Sequence, residues 1–531
     1  MKRNSLQSTV NSPRSLCSIL WTIDYRLWTI DYRLWTIDYR LWTIDYRLWT
    51  IGLLTILLTG CDDYLDENPD NRVELDNLEK AAQLLTNSYS EAAYNVMNEW
   101  MGDQVSYTNG TRKRQNELRI YAWEEVNAEP TNQDTPEFFW SVTYNAIAHA
   151  NEVLAVIDQL PGDEARRRAV RGEALLARAY GHFMLINLFA KHYDQQTAST
   201  DLGIPYVTVP ETEFIQTYRR ATVQQVYDRI EQDMLAGLEL VDATFYANSG
   251  KYHFSRESAL ALASRFYLYK NDFENCIRYS TELLGSDPSF YVKDLADLLA
   301  QRTNTDDYIR LRTSPNQEAN LLLVRQQTFI YSNVGFYPGR NFYQQMFSDN
   351  PFNADDLRRD PAFQFGGVGV DGGLLAAKFE RLFQRSSLTS NVGFPYTIFV
   401  AFRGEEVLLN RAESYAQFNR IDEAIADLQV LTNHRYEGAP EVTMEIIRQS
   451  YRSPPGVPDQ NLLLDYIIQQ ERPKEFIHEG LRWFDIKRYR LAVTHSYPDG
   501  STATLSENDN RKALQIPEAA QEIGELRPNP R

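Results

Sequence analysis

The chain has 531 residues and a formal net charge of −18, with 54 basic against 72 acidic side chains. That balance argues against nucleic acid or an anionic lipid face as a partner, because a phosphate-binding surface needs clustered Lys and Arg. Its three cysteines, Cys17, Cys61 and Cys276, leave no disulfide framework, so stability has to come from packing within one large body, two intertwined subdomains or a helical-repeat body.

Residues 1–60 read as a leader. LWTIDYR runs four times over residues 20–47 and a truncated copy, LWTIG, follows. Identical copies joined straight to the next segment look like a tandem nucleotide repeat carried into the reading frame rather than a coiled coil. Arg47 then precedes an uncharged apolar run from Leu48 to Thr59. About 12 residues is too short to cross a bilayer, which takes about 20, but it suits the apolar region of a secretory signal. The run ends in Leu58-Thr59-Gly60-Cys61, which resembles a bacterial lipobox, where small residues fit a signal peptidase and the cysteine thiol is acylated. Cys61 is therefore the expected lipidation site and first mature residue. Residues 61–74, opening CDDYLDENPDNR, form an acidic, turn-rich tether. Acids directly behind the cysteine resemble the signal that places some lipoproteins on the outer face of the outer membrane.

An apolar helical period begins near Leu75, carried by Leu78, Ala81, Ala82, Leu85 and Tyr89, and runs to about Val96. Residues 97–136 lose it and are rich in Asn, Gly and aromatics. Helices are predicted over Phe138–Ile157 and Glu164–His192, where Ala174, Ala177 and Gly181 would let a neighbour approach closely. Thr222 is an N-cap for a helix to about Val241, and Ser255 with Ser258 opens another through Leu268. Residues 75–287 thus form an N-terminal helical part.

Two segments then look alike. Ala263-x2-Phe266-x2-Tyr269 precedes Cys276-Ile277, and Ala412-x2-Tyr415-x2-Phe418 precedes Ala424-Ile425, with turns that differ by one residue. Both resemble tetratricopeptide helix pairs, in which small and aromatic residues at fixed offsets interlock. Cys276 reads as a small core residue. Between the pairs, residues 288–400 lack strong helical period and read as long loops with short strands and occasional helices. A helix broken near Gly480 is predicted from Asp465 to about Leu491, then an extended, Pro-punctuated tail. Residues 288–531 form the C-terminal part.

The stretch ERPKEFIHEGLRWFDIKRY, residues 471–489, resembles the C-terminal signature of the SusD/RagB family of surface nutrient-binding lipoproteins. The lipobox with its acidic follow-on, Gly172-Glu173-Ala174 through Tyr180, Arg403-Gly404-Glu405-Glu406 through Glu413, and the Gln515-Ile516-Pro517 tail fit in the same order, although a usual closing aromatic is missing. The resemblance implies a mainly α fold: tetratricopeptide-like helix pairs as scaffold, with a loop-rich ligand-binding part containing short strands. It also implies a partner, a SusC-like TonB-dependent outer-membrane transporter barrel over which the lipoprotein acts as a hinged lid. Read as a helix, the signature pairs Glu479 with Arg482 at i,i+3, turns Trp483 and Phe484 inward, and leaves Asp485, Lys487 and Arg488 near water.

There is no HExxH or comparable metal spacing among the seven histidines, no GxSxG elbow, no Walker loop and no GxGxxG opening a helix. No cofactor, metal or catalytic residue is expected. Sugar rings stack on flat apolar rings while amide, carboxylate and guanidinium groups bond their hydroxyls. In the family, ligand contacts come from the loop after the first helix and from the central loop-rich region. Here these correspond, by region, to Trp100, Asp103, Gln104, Tyr107, Asn109 and Trp123, and to Tyr331, Phe336, Tyr337, Phe342 and Tyr343. The expected function is noncatalytic capture of oligosaccharides at the cell surface, with the outer-membrane lipid engaged through acylated Cys61. The alternatives are peptide capture by the same kind of system and a surface glycoside hydrolase using an Asp/Glu pair.

Overall fold

The computed structural model describes residues 75–108, 111–210, 217–246, 249–332, 335–360, 362–365, 372–451 and 456–531. Cys61, the leader and the tether lie outside them, as does Asn109. Leu75–Arg531 is one compact unit. Its first half is helical: α1 (Leu78–Leu85), α2 (Asn95–Met101), α3 (Gln115–Tyr121), α4 (Pro136–Val156), α5 (Glu164–Phe189), α6 (Val223–Leu240), α7 (Arg256–Tyr269) and α8 (Phe273–Leu284). The central stretch carries α9 (Leu295–Gln301), α10 (Thr305–Thr313), β1 (Asn320–Gln327), α11 (Arg340–Ser348), β2 (Ala362–Phe365), β3 (Gly373–Ala376), β4 (Leu382–Arg385) and β5 (Gly393–Arg403). Then follow α12 (Gly404–Gln417), α13 (Ile421–Asn433), α14 (Met444–Ser450), α15 (Asp459–Tyr466), α16 (Arg472–Glu475), α17 (Leu481–Arg488), β6 (Val493–Ser496), β7 (Thr502–Leu505) and α18 (Glu518–Glu522). The sheet β1-β5-β4 is antiparallel, and β2-β3 and β6-β7 are two-stranded ribbons. The fold is mainly α, with few short strands.

Local chemistry sets the helix starts. Thr135, Asp163, Thr222 and Ser255 each accept a first-turn backbone N–H, and Thr222 with Gln225 closes a reciprocal capping box. The period that continued through Tyr89 breaks after Leu85, where Thr86–Ser88 tighten into a 3-10 turn, Tyr89 turns extended and Ala92 bridges in parallel to Gln327. Glycines set the helix spacing: a Cβ on Gly181 would meet Ile147 Cγ1 of α4 at 2.9 Å, and one on Gly172 the Val241 nitrogen at 2.6 Å.

The two helix pairs stack, α7 on α8, α8 on α12 and α12 on α13. Their turns have the same length. Lys270-Asn271-Asp272 matches Phe418-Asn419-Arg420, with the two asparagines in the left-handed region at φ 59° and 56°. Tyr269 is therefore not the counterpart of Phe418, which follows the last turn of α12 and is 51% exposed, whereas Tyr269 is buried. The aromatic match in sequence is one residue out of register with the helices, and the left-handed asparagine is what pins the register. Cys276 is buried in the α8–α12 interface, its Sγ 3.7 Å from the Asn410 carbonyl, and burial pushes its thiol up to about 11.

The signature stretch departs from a simple amphipathic helix. A π-turn at Ile467–Glu471 sits ahead of Pro473, which has no N–H to return to the carbonyl four residues back. The break after α16 then places His478 and Gly480 at φ 66° and 73°. Glu479 is thus outside α17 and cannot pair with Arg482 along one helix. It faces Lys378 at 2.7 Å and Arg403 at 3.1 Å, while Arg482 makes a bidentate pair with Asp103 at 2.9 and 2.7 Å. Trp483 and Phe484 are core residues as expected. Asp485, Lys487 and Arg488 are not at the water surface. Asp485 is buried between Arg472 and Arg488 at 2.8 and 2.7 Å, Arg488 also holds Glu413 at 2.6 Å, and Lys487 donates to the carbonyls of Asn187 and Ala190 at the end of α5.

Helix α2 docks on this break through polar side chains. Asn95 and Asn98 donate to the His478 and Gly480 carbonyls at 3.0 Å each, and Glu99 accepts from the Gly480 N–H at 3.0 Å. Burial raises the Glu99 carboxyl to about 8. The folded chain thus keeps it protonated where the unfolded chain, titrating near 4.5, does not. Each pH unit between those values costs folding about 1.4 kcal/mol. Glu99→Gln is expected to match wild-type stability below pH 5 and to exceed it progressively to about pH 8. Urea unfolding midpoints across that range check this, and a pH-independent difference between the two proteins would refute it.

Candidate functional site

The two loop regions named from sequence meet in one place. The chain leaving α3 passes through Gln133 and Asp134 before Thr135 caps α4, and the turn after β1 crosses it at Phe329. With the start of β5 they enclose a cleft of about 410 Å³, lined by Arg114, Asn116, Asn132, Asp134, Phe329 and Phe394 among others. Phe394 is 50% exposed. The Arg114 guanidinium lies 4.7 Å over the Phe329 ring and pairs with Glu117. Asp134 is buried at φ 60° and accepts the Phe329 N–H at 2.8 Å through Oδ2, while its Oδ1 has no partner among the described residues. Burial raises its carboxyl to about 7. An exposed aromatic face beside amides and a guanidinium suits a polyhydroxylated ring.

A second cleft, of about 890 Å³, runs along α4 past Trp140 and Tyr144 to α18. A third cavity, of about 390 Å³, lies where the end of α5 meets the segment after α17 and is lined by Lys191, Lys487, Arg488, Arg490 and Lys512. Its cations are already engaged: Lys191 on Asp201, Arg490 on Asp194, Lys512 on the Leu491 and Glu507 carbonyls, Arg488 and Lys487 as above. Among the described residues no cluster of three or more His, Cys, Asp or Glu is placed to hold a metal, and no helix is long and apolar enough to cross a membrane.

Two family models match the chain, one described as starch-binding associating with the outer membrane over residues 63–268, the other as the SusD family over residues 326–525. The chain belongs to the SusD/RagB family. Among curated relatives, this SusD-family chain is 21% identical over 482 residues to the SusD-like protein P38 of Formosa agariphila, covering 82% of the chain and 90% of that relative. It is 22% identical over 513 residues to P2 of the same organism, covering 87% and 94%. Among solved structures, a SusD-like carbohydrate-binding protein of Bacteroides vulgatus superposes with a TM-score of 0.58 at 20% identity, covering 85% of this chain and 97% of that one. Surface glycan-binding protein A of Bacteroides uniformis does so with 0.59 at 17%, covering 85% and 98%.

Most of the aromatics named from sequence lie beneath the surface of this SusD-family chain. Phe336, Tyr121, His495 and Trp123 form a continuous stack with centroid spacings of 3.9, 4.0 and 4.3 Å. Trp100 is buried under Gly335, where a Cβ would stand 2.4 Å from the indole. Gln104 donates to the Pro473 carbonyl at 3.0 Å, and Tyr337 and Tyr343 are buried. These six (Trp100, Gln104, Trp123, Phe336, Tyr337 and Tyr343) have no side-chain face open to a ligand, because the loops fold them back as their own core. Asp103 is committed to Arg482, and the Tyr331 hydroxyl to the Leu382 and Tyr396 carbonyls. Tyr107 is half-buried, edge-on to Phe336 at 5.5 Å with the Lys113 ammonium 4.7 Å above it. Phe342 is 38% exposed on α11. Sequence reasoning missed Arg114, Asn132, Asp134, Phe329 and Phe394 as cleft residues. The signal that could have found Phe394 is an aromatic in the Gly393-Phe394-Pro395 turn exit, where a strand starts before its neighbours can cover it.

Proposed function

We propose that this chain is a noncatalytic surface lipoprotein, acylated at Cys61, that captures an oligosaccharide in the Arg114–Phe394 cleft and hands it to a SusC-like TonB-dependent barrel in the outer membrane. The observation that carries the ligand class is the exposed Phe394 ring standing beside the Asn116 and Asn132 amides. A stacking face with amides at its edge recognises a sugar ring and its hydroxyls. The names of the relatives, carbohydrate-binding and glycan-binding, agree with this choice. Acyl chains on Cys61 contribute about 0.8 kcal/mol per buried CH₂, and more than one chain keeps the protein beside its transporter.

Residues 62–531 are expected to bind one class of oligosaccharide in a glycan panel without releasing reducing ends. Phe394→Ala should weaken that binding ~3- to 10-fold, the worth of one ring contact, with an unchanged melting temperature. Full affinity in the variant removes the cleft, and product release makes the protein a hydrolase. Isolation of the full chain from membranes together with a large β-barrel protein tests the handover.

A further inference from the structure

The first and second clefts share two lining residues, Asn116 and Asn132. Both residues are amides, and Asn132 is exposed at the junction. One end of the combined groove presents Phe394 and Phe329; at the other the half-buried Tyr144 lines the wall with Trp140 buried behind it, the two rings 4.8 Å apart at 55°. Volumes of about 410 and 890 Å³ each fall in the range of a small-ligand pocket, about 300–1,000 Å³. Together they exceed what one monosaccharide fills.

The charge of the lining is one-sided. Arg114 is the one cation among the residues lining the two clefts, and Glu117 neutralises it. Against it stand Asp134, Glu129, Glu137, Glu518 and Glu522. Asp134 and Glu137 are buried, so the exposed charge is that of Glu129, Glu518 and Glu522 near α18. A uronate or sulfated chain would be repelled at that α18 end, whereas a neutral chain would not.

We infer that the two clefts form one groove holding an extended, neutral oligosaccharide, with a second subsite between Tyr144 and α18. This rests on the glycan-binding reading above. The test uses residues 62–531 in calorimetric titrations with neutral malto-, xylo- and laminari-oligosaccharides of graded length, and with oligogalacturonides as the acidic counterpart. A neutral series is expected to bind more tightly as it lengthens, reaching about a tenfold gain, with the oligogalacturonides at least tenfold weaker.

Ser141 is exposed and lines only the second cleft, so Ser141→Trp blocks that end without touching the core. It should abolish the length gain and leave short-chain affinity unchanged, whereas Phe394→Ala lowers both. Equal affinity for short and long chains, a length gain that survives Ser141→Trp, or oligogalacturonides bound as tightly as neutral chains would each overturn the groove while leaving the first cleft intact. Failure of every series to bind the folded protein would overturn the glycan reading itself and the groove with it.

Discussion

Replacement of Glu475 by alanine is expected to cost about 3–5 kcal/mol of stability, the cost of stranding buried charge. The Glu475 carboxylate accepts from Arg403 at 2.8 Å, from Arg435 at 2.8 and 3.0 Å, and from Arg358 at 3.4 Å. Burial alone would raise its pKa, but the Arg435 and Arg403 guanidiniums hold it well below the usual carboxylate range. The surrounding cluster is already rich in cations, with burial pushing Lys293 down to about 7 and Lys378 to about 8. Loss of the carboxylate leaves the buried Arg403, Arg435 and Arg358 guanidiniums each one acceptor short. Glu475→Gln keeps the shape and one acceptor oxygen and should lose less. Urea unfolding of residues 62–531 measures both. A loss under about 1 kcal/mol for the alanine variant would mean that the cluster is solvated and not an interior ion-pair network.

The second large effect is expected at Gly480. Its φ of 73° is unfavourable for any residue with a Cβ, and an added Cβ would lie 2.5 Å from Asn95 Cα. The backbone of α2 cannot yield without breaking the Asn95, Asn98 and Glu99 hydrogen bonds to residues 478–480. Gly480→Ala should therefore cost about 3 kcal/mol or more, combining backbone strain with overpacking. Gly438 supplies the control, since its φ is 75° but nothing lies within 4 Å of an added Cβ. Gly438→Ala should cost about 1–2 kcal/mol, from the left-handed backbone alone. Equal losses at the two positions in chemical denaturation would show that α2 is not pressed against the signature turn.

Particular residues show where sequence reading reached and where it stopped. The starts of α6 and α7 were legible because Thr222, Gln225, Ser255 and Ser258 act within one turn of themselves. The break after Leu85 was not, since the apolar period runs on through Tyr89 and Gln327, the bridge partner of Ala92, lies far along the chain. The same limit applied to Asp485 and Lys487. On a helix drawn alone they sit with the polar residues, yet Arg472 reaches Asp485 and the end of α5 reaches Lys487, which makes burial tolerable.

The cleft repeats the pattern. The two loops were named by region from the resemblance, and Trp100, Trp123, Phe336 and Tyr337 within them are spent on holding those loops together. Phe394 is left outside by its place at the start of β5.

By itself the sequence determined the helical scaffold, the capped boundaries, the likeness of the two helix pairs and the family, because periodicity, caps and motif order are local properties of a chain. Only the tertiary structure decided which charges are interior and which aromatic faces a ligand can reach. Those outcomes depend on partners hundreds of residues away, whose approach sets the desolvation that local pattern does not encode.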